Sequence, residues 1–407
     1  MGVGRFVYTP ILPLMHAQAG LSASAGADLA TSNYVGYLAG ALVGTLAPRL
    51  VRSAALLRAS LVVLVATLAA MPLTQSTTMW LALRLLAGLT SALIFVIAVN
   101  SLLGHLREHP AHLPGWAFGG VGAGIALSGI LVLLLRSAGD WRDAWWASAA
   151  LTALFAVASW NLRTESPPPP QAPLPAQDQA QAQAGNGATR AQGGARANVP
   201  RTRRWFIALF VSYTLEGVGY IIAGTFLVAA IGQGSPGWIG SGAWVLVGLA
   251  AVPASALWTW LGRTFSRPTL LAASLTVQGI GIALPALVGG VAAALVSAFL
   301  FGATFLGVAT LALATGTHLR FPRAVALLTA GYSVGQILGP LTAAPLLHHG
   351  YHQALLLAAA VTAAAALAAG VLRIRFPHHM PQATAFADGA SGGPDTSRTA
   401  GVSSPGR

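Results

Sequence analysis

The chain has 407 residues, of which 55% are hydrophobic and 8% charged, and its mean hydropathy is +0.68. This composition provides too little polar surface for a water-soluble protein of that length and is typical of a chain embedded in a bilayer. The 22 basic residues are all arginine and cysteine is absent, which excludes a P-loop, disulfides and thiolate metal sites. We expect no metal and no other cofactor.

Twelve apolar runs follow one another along the chain. Crossing ~30 Å of hydrocarbon takes about 20 apolar residues in a helix, so each run predicts a transmembrane helix. The sequence therefore predicts an all-α membrane protein with six plus six transmembrane helices. The runs are 1–15, 29–48, 54–73, 78–104, 113–135, 144–162, 205–231, 238–261, 269–289, 291–317, 324–347 and 353–374.

The first run is shorter than the others, because fifteen residues reach only ~22 Å as a helix. In the seventh run, the segment Arg204–Glu216 precedes a GVG triplet, whereas only Met1 precedes the matching triplet of the first run. We expect helix 1 to be truncated at its N-terminus, with about a dozen native residues missing upstream of an internal methionine. The alternative is a short helix that thins the surrounding lipid.

The two halves of the chain resemble each other in sequence. GVGRFVYTPIL at Gly2–Leu12 is echoed by GVGYIIAGTFL at Gly217–Leu227, 215 residues later. Two copies of one apolar helical unit are typical of a transporter with its site between the copies. The same offset pairs Gly120 with Gly335 and Gly124 with Gly339.

The repeat defines the predicted domains. Residues 1–163 and 205–376 are predicted to be the N-terminal and C-terminal six-helix bundles. Residues 164–204 are rich in Pro, Gln, Ala and Gly without a hydrophobic period, which predicts a disordered cytoplasmic linker. The tail, 377–407, has the same character and the same prediction.

Arginine placement predicts the orientation, because cytoplasmic loops retain an excess of basic residues. The opposite loops contain only Arg136 and Arg142, next to Asp140 and Asp143, besides histidines. Both termini are predicted to be cytoplasmic, and the net charge of +13 reflects topology rather than nucleic-acid binding. Abundant Ala and Arg without Lys suggest a GC-rich bacterial genome, and hence the bacterial inner membrane. The cytoplasmic arginines are Arg49, Arg52, Arg107, six from Arg163 to Arg204, Arg263, Arg267, Arg320, Arg323, Arg373 and Arg375.

Several segments resemble the major facilitator superfamily, and within it the YbfB/YjiJ-type branch. They are GVGRFVYTPILPLM (Gly2–Met15), SNYVGYLAG (Ser32–Gly40), YTLEGVGYIIAGTFLVA (Tyr213–Ala229) and GYSVGQILGP (Gly331–Pro340). The resemblance implies the superfamily fold and secondary active transport of a small molecule by alternating access, without enzymatic activity. Efflux is slightly favoured by analogy with the family. The expected partners are the lipid bilayer, a small organic solute and protons, and we expect a monomer.

Two motifs depart from the superfamily pattern. The loop after the second run reads GTLAPRLVRS, with Pro48 where the superfamily has an aspartate. The G-x-x-x-G-P pattern that antiporters carry in helix 5 lies here in the eleventh run. RLLAGLTSA resembles the helix 4 motif, which implies a coupling role for Arg84. We predict structural or gating roles for Gly36, Gly40, Gly44, Arg49, Arg52, Gly120, Gly124, Arg263, Gly335, Gly339 and Pro340.

Few charges lie within the runs, where each costs ~2.5–3.5 kcal/mol at mid-bilayer. Glu216 is near the middle of the seventh run, and the repeat places Arg5 one turn beyond it on the facing helix. One interpretation makes Glu216 a proton switch that alternates between an apolar environment and the guanidinium of Arg5. The other is a static ion pair that joins the halves.

Other side chains have two interpretations each. Arg84 suits an anionic substrate group, or it extends its charge towards the interface. Tyr8 and Tyr220 could stack on a solute or pack between helices, and Gln336 could line the cavity or bridge helices. A membrane-embedded sensor or a polytopic enzyme is the alternative function, although an enzyme would need a cluster of acids and histidines near one interface.

Overall fold

The computed structural model describes residues 2–47, 50–105, 113–135, 137, 139–162, 202–235 and 238–377. Every regular element in these residues is helical, so the predicted all-α class is confirmed for this part of the chain. The described helices belong to one compact unit that ends at Phe376. The linker and the tail lie almost wholly outside the described residues, and the domain boundaries stay predictions.

The first half contains six helical rods in its described residues. The first rod consists of two segments, because Val7 between them keeps helical backbone angles and donates its N–H to the carbonyl of Val3. Short 3-10 turns follow the second and third rods. The segments are α1 (Gly2–Phe6), α2 (Tyr8–Ala19), α3 (Ala23–Leu46), α4 (Ala54–Ala70), α5 (Thr77–His105), α6 (Leu113–Leu135) and α7 (Trp141–Ala158).

The second half also contains six rods in its described residues. The last two are joined by a 3-10 segment, Ala344–His349. The helices are α8 (Arg203–Gly234), α9 (Trp238–Leu261), α10 (Arg267–Leu287), α11 (Gly290–His318), α12 (Ala324–Ala343) and α13 (Tyr351–Leu372). Each of the twelve predicted apolar runs coincides with one rod.

Nine helices of the described chain are long and apolar enough to cross a membrane. The rod α1–α2, α3 and α7 fall outside this set. Polar residues account for two of these, because α3 carries Asp28 and Asn33, and α7 begins with Arg142 and Asp143. The count of twelve crossings therefore stays a prediction.

Helix α8 lies at the centre of the molecule. All of its residues from Gly219 to Ile231 are buried, on every side of the helix. A helix that is apolar all round is stable only when other helices surround it, and here α2, α9, α12 and α13 pack against it. Helices of both halves thus enclose α8.

Among the described residues, the largest contacts between the two halves are those of α2 with α8, α3 with α12, and α6 with α9. Thr9 Oγ1 donates to the carbonyl of Gly224 at 2.6 Å. These two residues are 215 positions apart, which is the offset of the sequence repeat. A residue that contacts its own repeat mate lies on the pseudo-twofold axis, so this hydrogen bond marks where the axis passes between α2 and α8.

Candidate functional site

Two arginines are buried beside this axis. Arg5 on α1 is 6% exposed and Arg84 on α5 is 2% exposed. The first rod positions Arg5 through close packing, because the backbone of Gly2 lies against Gly124 of α6 and leaves no room for a Cβ. Asn33 Nδ2 donates to the Arg84 carbonyl at 2.9 Å and thereby fixes α5 against α3.

Arg5 bridges the two halves. Its Nη2 donates to Oε1 of Gln336, on α12, at 2.9 Å. Its guanidinium also lies over two rings of α3, with Cζ at 4.0 Å from the centroid of Tyr37 and 5.5 Å from that of Tyr34. Cation–π attraction at these distances offsets part of the cost of burying the charge.

The contacts of Arg84 offset less of the cost of burying its charge. Its Cζ is 4.8 Å from the ring centroid of Tyr8, and its Nη2 is 3.5 Å from the backbone carbonyl of Arg5. Three nitrogens of the two arginines have no hydrogen-bond acceptor within the described part of the chain, namely Nε and Nη1 of Arg84 and Nε of Arg5. Buried charged donors without acceptors are costly. The site therefore carries unused capacity to bind an anion.

Aromatic rings of the second half form a continuous cluster. Tyr220 stacks on Phe301, Phe305 and Tyr332, with centroids 5.9, 5.3 and 6.0 Å apart. Tyr213 stacks on Tyr332 at 4.5 Å. Across the axis, Tyr34 Oη lies 3.4 Å from Thr225 Oγ1 on α8. The rings that contact the arginines belong to the first half, and the cluster of the second half lies beside the partner of Arg5, because Tyr332 and Gln336 are one turn apart on α12.

Glu216 is fully buried in a different environment. Its Oε1 accepts from Nε2 of Gln278, on α10, at 3.1 Å, while its Oε2 has no partner. The neighbouring turns of the same helix contact α13, where Ser212 Oγ donates to the Ala365 carbonyl. Glu216 therefore belongs to the interior of the second half and not to the contact between halves.

The ion pair considered between Arg5 and Glu216 is absent from the described residues, so that interpretation was wrong. Arg5 donates to Gln336, and Glu216 accepts from Gln278. The side chains of Arg5 and Glu216 leave their helices towards different neighbours. The proton-switch role of Glu216 stays a prediction in which Arg5 is not a direct partner.

Most predicted glycines occupy close helix contacts. A Cβ on Gly36 or Gly40 would overlap the α5 backbone at Leu85 or Leu89, and one on Gly335 would overlap the Thr214 carbonyl of α8. Gly124 lies against Gly2, Gly339 lies against Ile221 and Val218, and Gly44 faces the side chain of Val96. Gly120 is the exception, because no atom lies within 4 Å of its Cβ position. Gly120 therefore makes no close helix contact in this structure, and its structural role stays a prediction.

The other structural predictions fall at helix ends. Pro340 lies inside α12, near the end where the 3-10 segment begins. Arg52 is exposed in the turn Leu50–Arg52, and Arg49 lies outside the described residues. Arg263 lines a cavity of about 740 Å³ at the ends of α9 and α11, opposite the first turns of α6. Its lining includes Trp116, Trp258, Trp260, Arg263, Arg267 and Thr310.

Sequence reasoning missed most of the aromatic cluster. Tyr34, Tyr37, Phe301, Phe305 and Tyr332 were not singled out, although Tyr34 and Tyr37 are three residues apart and therefore share a helix face. Tyr332 lies in the segment GYSVGQILGP, close to Gln336. Among the described residues no group of three His, Asp or Glu side chains could hold a metal ion.

Helical rods in two repeated halves, with charges buried where the halves meet, define a membrane transporter of the major facilitator type. The fold is similar to a crystal structure of the nucleoside transporter NupG, with a TM-score of 0.66 and 14% identity over 91% of this chain and 97% of that one. It is also similar to the crystal structure of a D-xylose-proton symporter, with a TM-score of 0.66 and 16% identity over 90% and 93%.

The sequence comparison is more specific. The profile of the family described as "Uncharacterised MFS-type transporter YbfB" matches residues 1–373. The chain belongs to this family of the major facilitator superfamily, which confirms the resemblance and the fold class. It is a membrane-embedded protein of a transporter family. Among curated proteins, no sequence matches it.

Proposed function

We propose that the protein is a secondary active transporter that moves a small organic solute by alternating access and couples this movement to protons. The observation that carries the proposal is the burial of Arg5 and Arg84 beside the pseudo-twofold axis with three nitrogens free of acceptors. Binding sites of repeat-built transporters lie at the interface between repeats.

The contacts between halves support a rocking mechanism. Single hydrogen bonds, Thr9 to Gly224 and Arg5 to Gln336, join the halves near the axis. Each is worth only about 0.5–3 kcal/mol net, so exchanging them between two states is energetically accessible. A substrate that replaced Gln336 as the partner of Arg5 would shift the balance between these states.

Glu216 is the residue we assign to proton coupling. Among the acids of the described residues, Asp28 is exposed and Asp140 and Asp143 lie at a helix start, while only Glu216 is fully buried. Its free Oε2 can take a proton without breaking the bond to Gln278. Tyr213, one turn earlier on α8, stacks on Tyr332 and thereby connects this part of the helix to the aromatic cluster.

The remaining features of the proposal follow from sequence. Arginine-rich loops on one side support cytoplasmic termini in a bacterial inner membrane, and family analogy slightly favours efflux. We infer a monomer that needs no cofactor and catalyses no chemical reaction, with lipid, solute and protons as its partners.

Proteoliposome flux tests the proposal. Purified protein is reconstituted with a pH-sensitive dye inside the vesicles, and a panel of small organic solutes is supplied under an imposed pH gradient. A transporter gives solute-dependent proton movement that empty liposomes lack. A panel that binds to the protein in detergent but moves across no proteoliposome would instead support the sensor alternative.

A further inference from the structure

We propose that the solute is an aromatic monocarboxylate, whose carboxylate binds Arg84 and Arg5 and whose ring stacks among the tyrosines of both halves. This inference rests on the proposed transport function and names its substrate class. It is carried by two independent observations, the unpaired charge and the composition of the surrounding side chains.

The buried positive charge of Arg84 requires an anion as its partner. Arg84 is 2% exposed, and among the described residues the one hydrogen bond of its side chain is a long one, from Nη2 to the backbone carbonyl of Arg5 at 3.5 Å. The nearest buried acid, Glu216, binds Gln278 and forms no ion pair with either arginine. An uncompensated buried guanidinium is costly, and a carboxylate accepts two parallel N–H bonds from it. Arg84 is therefore the main anchor for the carboxylate.

A single negative charge fits better than two. Arg5 already has Gln336 as an acceptor and two tyrosine faces within 5.5 Å. Only its Nε is unsatisfied, against two nitrogens of Arg84. One carboxylate balances the charge of Arg84 through two parallel bonds, from Nη2 and one of its two free nitrogens, whereas a phosphate ester would bring a second negative charge that Arg5, already bound to Gln336, does not match.

The neighbouring side chains favour an aromatic body. Tyr8 and Tyr37 already stack on the arginines, and the cluster of Tyr220, Phe301 and Tyr332 is on the other half. Planar rings pack on such surfaces with about 0.5–1.5 kcal/mol beyond area burial. Tyr220 is the repeat mate of Arg5, so the pseudo-twofold axis sets a cationic residue in one half against an aromatic residue in the other.

The cavity at the arginine-rich end has the same chemistry. Its described lining combines Trp116, Trp258 and Trp260 with Arg263 and Arg267 and includes no acid. Positive charge in a concave surface raises the local concentration of anions. An aromatic anion would thus meet favourable side chains in this cavity as well as in the buried site.

Binding to the purified full-length protein tests the substrate class. The probes are benzoate, 4-hydroxybenzoate, phenylacetate and cinnamate, each with its amide and its amine analogue, and cyclohexanecarboxylate as a non-aromatic anion. Thermal shift and isothermal titration calorimetry measure binding in detergent. We expect at least one aromatic carboxylate to bind, its amide and amine to bind at least about tenfold more weakly, and cyclohexanecarboxylate to be weaker than benzoate.

Substitutions test whether the carboxylate binds at the buried arginines. Arg84→Gln should weaken the bound carboxylate by about tenfold or more, because a charge-assisted pair is lost, and Arg84→Lys should recover part of the affinity. Tyr220→Leu should reduce binding of the aromatic probe while leaving that of cyclohexanecarboxylate unchanged. The matched control is Arg58→Gln, because Arg58 is exposed and bonds only to the Trp160 carbonyl.

Three results would overturn the substrate class, namely no binding by any carboxylate of the panel, equal binding of carboxylates and amides, or equal affinity of the wild type and Arg84→Gln. These results are separable from failure of the transport function. Flux of a neutral or cationic solute in proteoliposomes would refute the substrate class and keep the transporter. Carboxylate binding without flux would support the substrate class and refute the transport function.

Discussion

Glu216 and Gln278 form a buried polar pair inside the second half, and one carboxylate oxygen is left without a partner. Glutamine has nearly the shape of glutamate, so Glu216→Gln should preserve the fold. It cannot exchange a proton, however, and we expect it to abolish proton-driven accumulation while substrate exchange between two loaded compartments continues. Proteoliposome assays of both modes measure this difference.

The control for this substitution is Asp28→Asn. Asp28 is an exposed acid in α3, and its neutralisation should leave both transport modes unchanged. Normal proton-driven accumulation by Glu216→Gln would show that the proton is carried elsewhere.

Arg5 and Glu216 have separate partners, so their substitutions should act independently. Effects of residues without a shared partner add within about 0.3–0.5 kcal/mol. We expect the loss of thermal stability in Arg5→Ala combined with Glu216→Gln to equal the sum of the two single losses. Unfolding of the three variants in detergent gives the coupling energy. A coupling above about 1 kcal/mol would indicate a direct interaction in another state of the transport cycle.

The sequence indicated which charged residues are buried, but it did not indicate which side chains they contact. Arg5, Arg84 and Glu216 stand out because charges in apolar runs are rare, and all three are buried in the structure. Their partners were not predictable, because the rotation of a helix about its axis decides whether a side chain points to Gln336 or to Gln278. That rotation is set by packing among many helices, which a single apolar sequence with little amphipathic pattern does not encode.

At the scale of helices, the contact between α6 and α9 depends on small residues. A Cβ on Gly122 would lie 2.7 Å from the nitrogen of Val252, whereas the Cβ position of Gly120 is free. Gly122→Ala should therefore destabilise the state seen here by about 1–3 kcal/mol and favour a state in which these helices separate. We expect a lower melting temperature and a reduced rate of solute flux.

Gly120→Ala is the matched control on the same helix, two residues away, and it should retain wild-type melting and flux. An equal loss in both variants would mean that helix propensity or lipid packing, and not the contact between halves, sets the cost. From the sequence, Gly120 was singled out and Gly122 was not, and only the structure shows that Gly122 touches the other half while Gly120 does not.

Helix positions were predictable because the length of an apolar run and its bordering polar residues are local properties. Ser53, whose hydroxyl accepts from the N–H of Leu56, caps α4 next to its predicted start at residue 54, whereas α3 begins at Ala23, six residues before the predicted start at residue 29. The 3-10 segments were not anticipated, since they depend on how each rod must turn to meet the next.

At the scale of the whole molecule, the repeat and the structure agree on one axis. The sequence offset of 215 reappears as the hydrogen bond from Thr9 to Gly224. Such an axis makes the two halves interchangeable in outline, so a rocking motion about it can expose the same site to either side. The side chains differ between the halves, with Arg5 at the repeat position that Tyr220 occupies in the second half, and this difference gives the site its chemistry.

A disulfide across the axis tests whether the halves must separate. The chain has no cysteine, so Thr9→Cys with Gly224→Cys introduces a single pair, and a Cβ at Gly224 meets no atom closer than 3.9 Å. Oxidation should lock the halves together and abolish flux, and a reductant should restore flux.

The control pair is Ser32→Cys with Leu81→Cys, because the Ser32 hydroxyl and the Leu81 carbonyl are 2.7 Å apart within the first half. That bond should leave flux intact, because alternating access moves each half as a rigid body. Full flux with the axial disulfide formed would show that α2 and α8 stay in contact throughout transport.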